Sequence, residues 1–333
     1  MFPALELEPA SPFAEPDAQP LMEPNSPLRP NFGSAKKTPN AHGFLLLDKG
    51  IGSSSFQALF PVKRLFRGQK VGHAGTLDPA ASGLLLVAVG HGTRLLEFLE
   101  GMPKVYRFDV QLGLVTDTYD LQGEVLERFP VPALNREQVE AALSGFRGKI
   151  SQVPPAYSAI KIQGKRACDR VRAGETVAIA AREVEIHRLD LIAIEDGKLT
   201  LEMHCSKGTY VRTLAHDLGR VLGCGGVAVA IRRLEIGPFR IEDAKTETEL
   251  TGENDLLPLS SAMNHLPGVR VIEKWTGPLV HGNAIPPIGY ALMGETAADN
   301  GYYRVMDKSE NLLAIGEINA LGQLFPRKVL IPS

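Results

Sequence analysis

At 333 residues, 44% of them hydrophobic, the chain is too long for one compact core and suits a large domain plus a small one. Its three cysteines, Cys168, Cys205 and Cys224, are odd in number and far apart, which excludes a disulfide framework and a CxxC-type zinc site and points to a reducing, cytoplasmic setting. No apolar run approaches about 18 residues and the N-terminus lacks the pattern of a secretion signal, so no membrane span is expected.

Residues 1–40 scatter prolines through an acidic stretch that cannot bury enough apolar surface to order itself, and they are expected to form a disordered tail. With five acids and three bases the tail alone matches the formal net charge of −2, leaving the rest near neutral. Next, "GFLLLDK" reads as a strand and "SSSFQALFPVKRLF" as a helix capped by serine and kinked at Pro61. "SGLLLVAVG" is a buried strand, "TRLLEFLEG" a short helix, and "KVYRFDVQLG" an alternating strand. "REQVEAALSGF" is helical. "EVEIHRLDLIAI" and "KLTLEMHC" read as antiparallel partners around the turn "EDGK". "TYVRTLAHDLGRVLG" is an amphipathic helix.

The polar stretch "AKTETELTGENDLLPLSSAMNHLPG" then separates this core from short strands, "VRVI", "YYRVMD", "LLAIGEI" and "LFPRKVL", of a size for a small β-barrel. The mixed order predicts an α+β fold with a mostly antiparallel mixed sheet flanked by helices and loops. Three parts are expected: the tail at 1–40, a catalytic domain at 41–262, and the barrel at 263–333.

Phosphate binding needs local rather than global positive charge, and two segments supply it. "PVKRLFRGQK" carries Lys63, Arg64, Arg67 and Lys70 with no acid; "KIQGKRACDRVR" carries Lys161, Lys165, Arg166, Arg170 and Arg172 against Asp169. Either alone also suits an ordinary solvated face. In "KVGHAGTLDPAASG", Asp78 stands before a proline, as a helix cap would, yet it ends a glycine loop crowded by His73 and Thr76, as a reagent would. In "HCSKGTYVRT", Lys207 and Arg212 flank a helix start whose dipole is already positive, which asks for an anion; Asp78 is the candidate. Dinucleotide binding is excluded because Leu95 stands at the third glycine of "VAVGHGTRLL", and no P-loop or G-x-S-x-G elbow occurs.

"GHAGTLDPAASGLLLVAVG", "KVYRFDVQLGLVTDTYDLQG", "VPPAYSAIKIQGKRACDRVRAGE" and "HCSKGTYVRTLAHDLG" followed by "AIRRLEIGPF" together resemble the bacterial tRNA pseudouridine synthase B (TruB) family from Gly43 to Phe239. "HGNAIP" and "LLAIGEINALGQLFPRKVL" resemble that family's PUA-type RNA-binding barrel. The resemblance implies isomerisation of the T-loop uridine of tRNA to pseudouridine by base flipping. It implies Asp78 as the essential aspartate, Tyr106 as the ring stacked on the target base, and Tyr210 and Arg212 as the pair around the aspartate. Leu234 is implied as an apolar pocket wall, His73 as a histidine packed into the RNA loop, and residues 151–176 as a thumb loop closing on RNA through Lys161, Lys165, Arg166 and Arg170.

Gly50 stands where the family has proline after the lysine, and Cys168 where it has tyrosine; an RNA contact is implied near Lys49. No metal, no cofactor and no required protein partner are implied, only the tRNA T-arm stem-loop and a monomer. Asp78 attacks C6 of the base or acts at the ribose, and both remain open. The alternative is a non-catalytic RNA-binding or RNA-folding protein whose aspartate braces the loop.

Overall fold

A computed structural model describes residues 41–158, 160–162, 164–175, 177–294 and 301–330, so the expected tail lies outside the described residues. The first strand, β1 (Gly43–Lys49), is buried along nearly its whole length. The serine-started helix begins later than its spacing predicts. Ser54 and Gln57 satisfy each other, the Gln57 N–H donating to Ser54 Oγ at 3.2 Å and the Ser54 N–H to Gln57 Oε1 at 2.8 Å. Helix α1 (Leu59–Leu65) follows, with Pro61 in its first turn, where a missing N–H costs no hydrogen bond.

Strands β2 (Val71–Ala74), β3 (Ser82–Val89) and β4 (Lys104–Leu112) come next, then a hairpin of β5 (Leu114–Thr116) and β6 (Val125–Arg128). Between β3 and β4 the expected helix is two short 3-10 turns, Gly90–Arg94 and Leu96–Phe98. Helix α2 (Arg136–Ser144) starts at Asn135, whose side chain accepts from the Gln138 N–H. Strand β7 (Gly148–Gln152) leads into the expected thumb, where β8 (Lys161–Ile162) pairs with β9 (Lys165–Arg166) ahead of helix α3 (Ala167–Arg172). Strands β10 (Arg182–Glu195) and β11 (Lys198–Cys205) pair around Asp196 and Gly197, both at positive φ as a tight hairpin turn requires. Helix α4 (Val211–Val221), β12 (Gly226–Ile236) and β13 (Phe239–Arg240) complete this part.

Among the described residues a nine-stranded sheet runs β1-β3-β12-β4-β11-β10-β7, with β2 added to β3 and β13 to β12. All its pairs are antiparallel except β12 with β3, where Arg232 and Arg233 oppose Ser82 and Gly83. That junction needs glycine: Gly83 sits at φ +103°, and a Cβ there would lie 2.3 Å from the Arg233 carbonyl oxygen. A second close approach seats α4 on the sheet, since a Cβ on Gly219 would lie 2.1 Å from the Gly226 nitrogen. Held this close, α4 buries Val211, Leu214, Ala215 and Leu218 in a core with Val110, Leu201, Met203 and Ala228. Burying four such side chains contributes several kcal/mol, at about 1.5–3 kcal/mol for each large one.

The last strands form a sheet ordered β15-β14-β16-β17-β18, namely β14 (Gly268–Val271), β15 (Tyr290–Met293), β16 (Tyr302–Met306), β17 (Leu312–Ile318) and β18 (Leu324–Val329). The expected barrel is not closed among the described residues, because the edge strands β15 and β18 pair with inner neighbours and not with each other. This sheet shares an apolar core with the main one: Met306, Ile315 and Leu330 cluster with Phe44, Leu46, Leu84 and Leu86. The polar stretch between them is stitched to β1, with Leu257 and Phe44 exchanging hydrogen bonds of 2.7 and 3.0 Å and the Asp48 N–H donating to the Lys245 carbonyl at 2.9 Å.

Candidate active site

The loop between β2 and β3 carries Asp78, and the segment before α1 pins it. Ser55 Oγ donates to the Leu77 carbonyl at 2.9 Å and accepts from the Leu77 N–H at 2.8 Å, while the Gly52 N–H donates to the Pro79 carbonyl at 2.8 Å. The Ala81 N–H donates to the Asp78 carbonyl at 3.0 Å, and the chain turns straight into β3. No helix starts there, so Asp78 caps none. Its carboxylate is 42% exposed and lies 2.7 Å from Arg212 Nη2.

Arg212 is buried in the first turn of α4, where a lone cation would oppose the helix dipole. Four oxygens hold it. Nη1 donates to the Thr118 carbonyl at 3.0 Å and faces Asp120 Oδ2 at 3.5 Å; Nη2 donates to the Tyr157 carbonyl at 3.0 Å and pairs with Asp78. Asp120 is itself fixed, accepting from Thr118 Oγ1 at 2.6 Å and the Gln122 N–H at 2.9 Å. Tyr210 precedes the helix in extended conformation; its N–H donates to Gln152 Oε1 at 3.0 Å and the Arg182 guanidinium lies 4.8 Å from its ring centre.

These groups open onto a cleft of about 630 Å³, large enough for one nucleotide. Asp78, Tyr106, Tyr210 and Arg212 all line it, with Ile231, Arg233, Lys104, Lys207 and Arg182. Leu234 does not line it: the register of β12 on β4 shifts between Arg233 and Glu235, and Ile231 with Arg233 face the cleft from that strand. His73 also lies off the cleft wall, half-buried on β2 opposite Val87 with Nδ1 lacking a hydrogen-bond partner. Burial first, then Arg233, lowers its pKa.

Lys49 is not a surface RNA contact. It is fully buried, and Nζ donates to the carbonyls of Gly50 and Ser53 at 2.9 and 2.8 Å, shaping the turn that leads to Ser55. Burial lowers its pKa, and Asp78 is the largest opposing influence. Arg170 pairs with Glu175 at 2.6 Å. The side chains of Lys161, Lys165 and Arg166 lie outside the described ones.

Two cleft cations are not apparent from the sequence. Arg233, 1% exposed, donates from Nε to the Leu84 carbonyl at 2.7 Å and from Nη2 to the Gly75 carbonyl at 2.9 Å, tying the aspartate loop to the sheet. Burial pushes the Tyr106 phenol up, while the neighbouring Arg233, which also donates to it, opposes the rise. Lys104 sits two residues before Tyr106 on β4 and so shares its face; Nζ donates to the Glu100 and Met102 carbonyls at 2.8 and 2.5 Å.

Burial, then Arg233, lowers Lys104 from 10.5 to about 8. Below that pH both folded and unfolded chains hold the proton and the cost of burying the charge, roughly 3 kcal/mol, is fully present. Between about 8 and 10.5 only the unfolded chain holds it, so stability rises with pH. Relative to Lys104→Met, the melting temperature of the wild type should therefore climb across that interval; a difference independent of pH would contradict this.

One half-exposed carboxylate paired with a buried guanidinium, beside aromatic rings and in a cationic cleft, suits chemistry on an RNA base, and the class is that of a pseudouridylate synthase. Residues 63–211 match the family model described as TruB family pseudouridylate synthase (N terminal domain), and residues 212–257 that of the tRNA pseudouridylate synthase B C-terminal domain. The chain belongs to the TruB family. It is 40% identical to the tRNA pseudouridine synthase B of Chromohalobacter salexigens, over 86% of this chain and 94% of that protein, and 40% identical to that of Nitrosococcus oceani, over 87% and 94%. The fold is similar to that in the archaeal box H/ACA sRNP Nop10-Cbf5 complex (TM-score 0.68, 22% identity, 88% of this chain and 87% of that one) and in a Cbf5-Nop10-Gar1 complex (TM-score 0.67, 23% identity, 90% and 92%).

Proposed function

We propose that the protein isomerises the T-loop uridine of tRNA to pseudouridine, with Asp78 as the reactive carboxylate. The observation that carries this is the 2.7 Å pairing of a half-exposed Asp78 with a buried, four-fold anchored Arg212 at the wall of a nucleotide-sized cleft. The uridine leaves its stack at a cost of a few kcal/mol and enters beside Tyr106, whose ring replaces part of the stacking. Arg212 aims the carboxylate and leaves its second oxygen toward solvent and substrate. The bond from ribose C1′ to N1 breaks, the base turns, a bond from C1′ to C5 forms, C5 gives up its proton and N1 takes one up, so the product is an isomer of the substrate. Asp78 acts at C6 of the base or at C1′ of the ribose. Both routes use the same side chain and conserve every other atom.

Phosphates of the T-arm meet the cleft cations and the thumb at 151–176, and residues 263–333 act as the further RNA-binding part beside the catalytic 41–262. The reading assigns a monomer in the cytoplasm, with tRNA as its partner and no cofactor. Treating an unmodified tRNA transcript with the protein, then mapping pseudouridine by carbodiimide-dependent primer-extension stops, should give a stop at the T-loop uridine. No stop, or stops only elsewhere, would sink the reading.

Charge reversal in the thumb tests its part. Arg170 pairs with Glu175, and the change is made at three other cations of the segment, Lys161, Lys165 and Arg166. Replacing all three by glutamate should weaken tRNA binding and flatten the slope of log affinity against log salt by about 0.7–0.9 for each phosphate that is no longer neutralised. An unchanged slope would remove the thumb from the phosphate grip.

A further inference from the structure

The stretch that pins the aspartate loop also exposes two phenylalanines. Phe56 and Phe60 are 58% and 46% exposed, while α1 buries Leu59 and Val62 in an apolar cluster on the sheet side of the chain. Their rings meet edge to face at 5.5 Å and 80°, an ordered arrangement rather than two stray apolar groups. The Lys63 ammonium lies 4.1 Å from the centre of the Phe56 ring and 5.6 Å from that of Phe60. Arg64, Arg67 and Lys70 are exposed on the same stretch. From Lys49 to Leu77 the chain has no aspartate or glutamate, and none of these four cations forms an ion pair with a described residue.

The patch is joined to the active cleft. Ser55, next to Phe56, clamps both backbone groups of Leu77, next to Asp78, at 2.8 and 2.9 Å. Consecutive Cα atoms being about 3.8 Å apart, Phe56 lies within roughly 15 Å of Asp78 along that path. An exposed aromatic pair in an acid-free, cationic setting fits a nucleobase stacked on a ring with its phosphate near the lysine. The charge opposes docking of a second copy on the same patch.

We propose that Phe56 and Phe60, with Lys63, form a stacking platform for an unpaired nucleotide of the same RNA that delivers its uridine to the cleft. This rests on the function proposed above. The platform holds the RNA next to the turn that carries Asp78, so binding energy is placed where the base must be flipped.

The test uses the full chain and an unmodified tRNA transcript, with binding and turnover read in parallel. Phe56→Ala/Phe60→Ala should raise Kd and KM at least about fivefold and up to about a hundredfold, the range expected on removing a base–aromatic stack, with the salt slope kept. Phe56→Tyr/Phe60→Tyr should restore binding, because the stacking faces remain. Lys63→Ala should flatten the salt slope by about 0.7–0.9. Both rings are exposed, so melting temperatures should match the wild type. A double-alanine variant that melts normally and binds tRNA as tightly as the wild type would overturn the proposal. So would sedimentation showing a wild-type dimer that the double-alanine variant dissolves. Failure of the wild type itself to modify the transcript would instead overturn the assigned function.

Discussion

Asp78→Asn should lower uridine isomerisation by several orders of magnitude while leaving the fold and tRNA binding nearly intact. Asparagine keeps the size and one oxygen of the carboxylate, which can still accept from Arg212, but it is neither a nucleophile nor an anion. No helix begins at Asp78, and the turn into β3 is held by backbone groups of Asp78, Pro79 and Ala81, which the substitution leaves alone. The ion pair it removes is 42% exposed on the aspartate side, so its loss is discounted for solvent to about 1 kcal/mol, a few degrees of melting temperature. Arg212 retains Asp120 and two carbonyls. Binding survives because phosphate contacts supply much of the affinity. A role as a loop brace predicts the same small shift in melting with undiminished turnover.

Arg212→Ala should be the more damaging change, because it strikes the fold as well as the chemistry. It removes a side chain buried to 5% exposure and strands the Thr118 and Tyr157 carbonyls together with Asp120, itself only 10% exposed. Deleting one member of a buried pair costs roughly 3–5 kcal/mol, which for a chain of this size is on the order of ten degrees of melting temperature. Turnover should be abolished as in Asp78→Asn. Arg212→Lys separates the two effects: an ammonium can neutralise a carboxylate but cannot reach four oxygens with a planar fork. It should recover part of the melting loss and little of the activity. Full activity in Arg212→Lys would mean that charge alone matters and that the aim of the carboxylate does not.

The Asp78–Arg212 pair is legible in the sequence because a cation at a helix start is costly without an anion and Asp78 is a candidate for it, whereas the second carboxylate facing Arg212, Asp120, is not apparent there. Strands such as Lys104–Leu112 and Lys198–Cys205 are legible through period-two alternation. The wall formed by β12 is not. "GVAVAIRRLEI" breaks its own alternation with register shifts and Ala230 at positive φ, so alternation does not assign its faces; the family resemblance implies Leu234 as the pocket wall, whereas Ile231 and Arg233 line the cleft. Lys49 differs in another way: the family resemblance implies an RNA contact near it, whereas here two carbonyls of a tight turn draw its ammonium inside. The low hydrophobicity of the stretch before Gly268 suggests a free linker, yet Leu257, Ala262, Met263 and Leu266 all face the core shared by the two sheets. Composition averages over those few apolar side chains and misses them.

The most direct measurement is release of tritium from tRNA labelled at C5 of its uridines, followed for the wild type and Asp78→Asn at saturating RNA. Forming the bond from C1′ to C5 expels that hydrogen, so release counts completed isomerisations and not binding. The wild type should release tritium equivalent to the one T-loop uridine of each tRNA, and Asp78→Asn almost none while binding the same RNA. Release by Asp78→Asn at the wild-type rate would contradict the assignment of Asp78 as the reactive carboxylate, and no release by the wild type would contradict the assigned reaction.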